Sequence, residues 1–141
     1  VIARYREQEQ REGYSFQPLI ERATGAFVGD IGLARVEFDA GFQGATEIGW
    51  MMQRQFWGRG YATEMARALL DHGFVVLGLT EVIAFTVPAN ARSRRVMERL
   101  GMMQDEAAGF DHPIIAEGHA LRPHVLYRAT APSAPGTAEP A

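Results

Sequence analysis

Between Thr46 and Leu77 the apolar period changes from two to 3.6, across a seven-residue junction, Arg54–Gly60, that carries two glycines. Upstream, Ile48, Trp50 and Met52 alternate with Glu47, Gly49 and Met51, which predicts a strand over 46–53 with one apolar face. Downstream, Ala62, Met65, Ala66, Leu69, Leu70, Phe74 and Leu77 recur at helical spacing and predict a helix over 61–77, closed by Gly78. A strand that feeds a long helix through a glycine turn points to a mixed strand-and-helix domain.

The flanking segments agree. Residues 2–12 read as a helix stopped by Gly13. Tyr14, Phe16 and Leu19-Ile20 mark a strand over 14–22, with Pro18 suggesting an edge position. Ala23–Ala26 is a hairpin turn, and a strand over 27–38 shows a parity change near Arg35 that suggests a bulge. Glu81–Val87 is a continuous apolar strand, Ala91–Leu100 a short helix, and two weaker strands follow near 102–110 and 124–129. The order is helix, three antiparallel strands, glycine turn, helix, strand, helix, two strands, which makes the expected fold class α+β (mixed α/β) around one sheet. A domain over 1–130 is expected, with a disordered Pro- and Ala-containing tail over 131–141. The chain opens Val1-Ile2-Ala3 and its first methionine is Met51, so a longer reading frame is expected.

Composition matters mainly by what it excludes. The chain has no cysteine, which removes thiol catalysis, disulfides and cysteine zinc sites. All 14 basic residues are arginine, so a phosphate-loop lysine, a lysine Schiff base and pyridoxal phosphate chemistry are excluded as well. A net charge of −3 argues against specific nucleic-acid binding, and no apolar run exceeds four residues, so no membrane association is expected.

The junction carries the first chemical signal. A helix N-terminus has unpaired N–H groups and partial positive charge, and small residues beside it let a phosphate approach the backbone without any lysine. Gln55-Phe56-Trp57-Gly58-Arg59-Gly60-Tyr61-Ala62 has that form. The plain alternative is a tight turn needing glycine at positive φ. A dinucleotide fold is disfavoured, because Gly58-Arg59-Gly60 lacks the third glycine of G-x-G-x-x-G. The second signal is Asn90, the only asparagine, with Ser93, at the start of a helix after a buried strand. The alternative there is a helix N-cap and a solvent-facing serine.

In this order and spacing the motifs resemble the GNAT N-acetyltransferase superfamily. Its Gln/Arg-x-x-Gly-x-Gly/Ala signature is matched by Gln55–Gly60, and Asn90-x-x-Ser93 with Leu100-Gly101-Met102 resembles the branch typified by ribosomal-protein N-terminal acetyltransferases. The resemblance implies a mostly antiparallel twisted sheet flanked by helices and splayed between strands 47–53 and 81–87, with the family's first strand and helix missing here. It implies acetyl-CoA as cosubstrate, an amine acceptor and no metal. Backbone N–H groups of Phe56, Trp57, Gly58, Arg59, Gly60, Tyr61 and Ala62 would bind the pyrophosphate. The Met52 N–H would polarise the thioester carbonyl, Asn90 would bond the pantetheine or acetyl region, and Arg95 would meet the 3′-phosphate. Glu47 is the candidate base. Many family members carry an acidic tyrosine at the position of Met97, and Ser93 is the substitute.

Arg92, Arg94, Arg95 and Arg99 read otherwise as a solvated basic face. His112, His119 and His124 do not have helix-borne zinc spacing; one of them is a candidate for lining an acceptor pocket. The expected function is therefore a cytoplasmic N-acetyltransferase, monomeric or homodimeric, acting on a protein α-amine or a small amine. The alternative is a non-catalytic acetyl-CoA-binding or partner-binding module.

Overall fold

The computed structural model of the chain describes residues 2–133. The periodic segments become elements of the expected type, most of them slightly shorter. Helix α1 (Ile2–Glu12) precedes strands β1 (Phe16–Ile20), β2 (Phe27–Arg35) and β3 (Thr46–Met52). A short 3-10 turn at Arg54–Phe56 leads into helix α2 (Tyr61–Val75), strand β4 (Glu81–Thr86) and helix α3 (Ala91–Arg99). The weak strand expected over 102–110 is instead two fragments, β5 (Met103–Gln104) and β6 (Phe110–Asp111), interrupted by a 3-10 turn at Glu106–Ala108. There the Asp105 N–H bonds Leu126 O at 2.9 Å and the chain turns out of the sheet. Strand β7 (Pro123–Thr130) completes the fold, and from residue 134 on the expected tail lies outside the described residues.

The strands form one sheet in the order β1-β2-β3-β4-β7-β5, with β6 also on β7. Every pair is antiparallel except β3 with β4. Pro18 lacks an N–H for a second ladder and sits on the outermost strand, as its chemistry requires. The register irregularity lies between Leu19 and Ile20, not at Arg35. The parity change after Arg35 marks the chain leaving β2: Val36 N–H bonds Ala45 O at 2.8 Å, and residues 37–44 loop out between them. Among the described residues no helix is long and apolar enough to cross a membrane.

The two faces of the sheet bury different cores. Ile31, Leu33, Ile48, Val82, Ala84 and Tyr127 pack with Ala66 and Leu70 of α2 and Met97 of α3. On the other face Val36, Ile83 and Leu126 form a smaller cluster under several phenylalanines. Burying one such aliphatic side chain contributes about 1.5–3 kcal/mol, so this two-sided burial holds β4 and β7 centrally. The second face also takes α1, through the Tyr5–Phe16 ring contact at 5.5 Å and a Gln8 Nε2 hydrogen bond to Arg35 O at 3.1 Å.

Gly32 and Gly49 are register partners on that second face, and the Phe16 ring fills the hollow they leave. A Cβ on Gly49 would meet Phe16 Cζ at 2.7 Å. Gly49→Ala is therefore expected to destabilise the fold by about 1–3 kcal/mol through overpacking, measured by denaturant unfolding. The same substitution in a Phe16→Leu background is expected to cost less, and equal costs in both backgrounds would contradict this packing.

Candidate active site

β3 and β4 touch at one register pair, Glu47 with Ile83, and then diverge. The direction of backbone hydrogen bonding alternates along an antiparallel strand. Gln53 N–H bonds Val28 O at 2.8 Å, so Met51 and Gly49 also turn their polar groups toward β2. The N–H and C=O groups of Trp50 and Met52 therefore face the opening between β3 and β4. The splay expected between these two strands is present, and one of its edges is lined by main-chain groups that have no strand partner.

The junction continues that opening to a helix terminus. Gly58 and Gly60 take φ values of +76° and +77°, and an added Cβ at either would meet nothing within 4 Å, so their backbone is open to an approaching group. Gly60 is the N-cap residue of α2 and offers no side-chain cap, which leaves the first-turn N–H groups of Tyr61, Ala62 and Thr63 available. The expectation for Phe56 and Trp57 needs correction: their N–H groups already bond Gln53 O and Arg54 O, at 3.0 and 3.1 Å, closing the 3-10 turn. The available backbone N–H groups begin at Gly58. Phe56 anchors the turn in the core instead. Gln55 is exposed and does not line the cleft. The Arg59 guanidinium turns away to Glu21, at 3.4 Å, and lies over the Phe56 ring.

Glu21 was not singled out by sequence. It accepts hydrogen bonds from Tyr61 and Arg59, which tie the β1–β2 hairpin to the junction, and the bonds from Tyr61, Thr24 and Arg59 hold its carboxyl below the usual range. A separation of about forty residues leaves no local pattern that would reveal it.

A cleft of about 540 Å³ runs from Trp50–Met52 past Gly58 and Gly60 to Thr63, with α3 as its far wall. That volume lies within the range typical of small-molecule sites. Ser93, Val96, Arg92, Arg95 and Arg99 face it from α3. Arg94 does not: it bonds Tyr127 OH, Pro88 O and Gln104 behind the helix. Met97 is buried in the core, so the tyrosine position of the resemblance does not reach this cleft. Asn90 lines the cleft but also caps α3: its Oδ1 accepts from Ser93 N–H at 3.2 Å and its Nδ2 donates to Thr86 Oγ1 at 3.0 Å. One amide proton and one lone pair of Asn90 remain free. Trp57 donates from Nε1 to Met52 O at 3.0 Å, and the Arg92 guanidinium lies 4.0 Å from its ring centroid, so the two bridge the cleft.

Glu47 lies at the apex of the fork and on the opposite face from Ser93. It shares its face with Gly49, under α1, whereas Ser93 belongs to the α2–α3 side. Burial pushes its carboxyl up to about 7, with the Arg4 guanidinium pulling the other way. Of the three candidate histidines, His112 and His124 come together, with ring centroids 5.1 Å apart, while His119 Nδ1 accepts from Leu121 N–H. Among the described residues no group of three or more metal-ligating side chains is placed to hold an ion.

The acetyltransferase (GNAT) domain family matches residues 1–103. The uncharacterized protein YkkB of Bacillus subtilis is 38% identical over 97 residues, covering 67% of this chain and 55% of that protein. FsC-acetyl coenzyme A-N(2)-transacetylase of Aspergillus fumigatus is 44% identical over 61 residues, covering 43% of this chain and 26% of that protein. Among solved structures, RimJ of Mycobacterium smegmatis in complex with CoA-disulfide is 28% identical with a TM-score of 0.70, covering 92% of this chain and 58% of that one. The chain spans about half the length, or less, of these curated relatives. With the family's domain matched over 103 of 141 residues and its splayed sheet present, the chain belongs to the GNAT acetyltransferase family.

Proposed function

We propose that this chain carries the catalytic core of an N-acetyltransferase that moves an acetyl group from acetyl-CoA to a primary amine by direct attack. The reading rests above all on the continuity between the opened β3 edge and the uncapped N-terminus of α2. A pantetheine arm has amides that can pair with the main-chain groups of Trp50 and Met52, as a further strand would. A pyrophosphate suits the N–H groups from Gly58 to Thr63, where the helix dipole favours negative charge. Arg95 stands on the cleft wall for the 3′-phosphate. The complex of the related RimJ with CoA-disulfide supports the same ligand class.

In the chemical step the amine lone pair attacks the thioester carbonyl carbon and a C–N bond forms. The carbonyl electrons move to oxygen, which the Met52 N–H stabilises. The ammonium proton passes to the Glu47 carboxylate, directly or through one water. Collapse of the adduct breaks the C–S bond, and the departing sulfur takes a hydrogen bond from the Ser93 hydroxyl. The two candidate groups lie on opposite faces of the sheet, so the amine enters from the α1 side and the thiolate leaves toward α3. Asn90 orients the arm with its free amide capacity while fixing the start of α3.

A base whose pKa lies near neutrality suits this step, because it is ionised at working pH yet still binds a proton. The kcat/KM of the protein is therefore expected to rise with pH through about 7, where Glu47 ionises. Glu47→Gln is expected to lower it by roughly 10²–10⁴-fold and abolish that limb; an unchanged profile in a thiol-release assay would contradict the assignment. Linkage adds a stability signature. The folded pKa lies above the ordinary 4.5, so the contribution of the protonated group is full below 4.5 and is lost as pH rises through about 7. Glu47→Gln is expected to flatten that loss in denaturant unfolding at pH 5 and pH 8.

Arg95→Ala is expected to weaken CoA binding about tenfold, the scale of one charge-assisted hydrogen bond, while binding of 3′-dephospho-CoA stays unchanged. Calorimetry with both ligands checks this, and equal losses for the two would remove Arg95 from the 3′-phosphate.

A further inference from the structure

The sheet face that carries Glu47 also holds an aromatic group that the steps above do not use. Phe38, Phe42, Phe85 and Phe110, half of the chain's eight phenylalanines, gather there with His112 and His124. Phe42 meets Phe110 at 4.8 Å, Phe85 meets Phe110 at 5.4 Å, and Phe38 meets His112 at 4.6 Å. All six rings are half-buried, so each keeps a part of its surface open.

Register ties this wall to the fork. Ile83, the partner of Glu47, is buried beneath it, and Phe85 follows on the same face about 7 Å further along β4. That is where β3 has already parted from β4. On the other side of Glu47, the Phe16 ring covers Gly49 and contacts Tyr5. Glu47 thus stands between two aromatic walls.

The charge pattern is equally one-sided. Burial and the neighbouring His124 hold His112 below its ordinary range, which favours its neutral form. Glu37 is engaged by Arg4 and Arg11, and Asp111 by Arg122. Asp30 shares the face but lies four residues along β2 from Ala34, the partner of Glu47, a distance of roughly 13 Å.

We infer that the acceptor is an arylalkyl amine whose ring lies against Phe85, Phe38 and His112 while its nitrogen reaches Glu47. The inference rests on the transferase reading above and adds the substrate class. A half-exposed aromatic wall offers edge and face contacts to a ring. The rings themselves give the second cation of a polyamine no carboxylate, and the acidic residues flanking them in sequence, Asp39 and Asp111, are exposed to solvent.

The test measures thiol release with acetyl-CoA and three acceptors: phenethylamine, n-butylamine and spermidine. The expected kcat/KM for phenethylamine exceeds that for either other amine by about tenfold or more, the discrimination a well-filled apolar pocket supplies. Phe85→Glu is expected to reduce the phenethylamine-to-spermidine ratio by a similar factor, and Phe38→Leu to reduce it less. Because both rates come from one preparation, the ratio is independent of the fraction folded. Preference for spermidine or butylamine, or a ratio that neither variant moves, overturns this inference alone. Turnover of no amine while calorimetry still shows CoA binding overturns the transferase reading and this inference with it.

Discussion

One parallel bridge, Glu47 with Ile83, governs the architecture of the site. Above it β3 is committed to β2 through a continuous antiparallel register, and β4 to β7 through another. Each strand therefore keeps one well-paired edge while the facing edges separate. The cost of separation is main-chain groups at Trp50 and Met52 without a strand partner, of which Met52 O is met by Trp57 Nε1, and a buried or half-buried peptide group without a partner is unfavourable. A ligand with its own amides would relieve that cost, which is why the proposed function places the pantetheine arm in the opening.

The same bridge organises the electrostatics. It places a carboxylate at the apex, where burial disfavours its charge, and directs the groove away from that carboxylate toward a helix N-terminus and three arginines. In the proposed function, negative charge is accommodated at one end of the path and proton acceptance at the other. Gly58 and Gly60 keep the positive end open, since they expose backbone without side chains. Glu21 contributes by binding Tyr61 and Arg59, so that this flexible-looking turn is held to the β1–β2 hairpin.

Features written in local periodicity are legible in the sequence itself. The alternation at 46–52, the stripe of α2 and the glycines between them predicted the strand–turn–helix unit, and Pro18 predicted the sheet edge. The splay came from the family resemblance, not from any residue pattern. What failed to show was nonlocal. The polar groups of Phe56 and Trp57 look available in sequence, yet an i to i−3 bond closes the turn and engages both. Arg94 is indistinguishable from Arg92 and Arg95 in a basic run, but helical rotation turns it to Tyr127. The strand expected over 102–110 is apolar enough to pair, but it leaves the sheet at Asp105. The cap reading of Asn90 holds, and the same side chain that caps α3 also lines the cleft.

The central claim is that a CoA thioester lies along the opened edge of β3, from Met52 to the first turn of α2. Residue-resolved amide hydrogen exchange, with and without saturating CoA, tests this most directly. The account predicts new protection at Trp50, Met52 and Gly58–Thr63, with Phe56 and Trp57 little changed because their N–H groups are already bonded. Protection of Phe56 and Trp57 without Met52, or CoA binding that leaves the β3 edge exchanging as before, would contradict it.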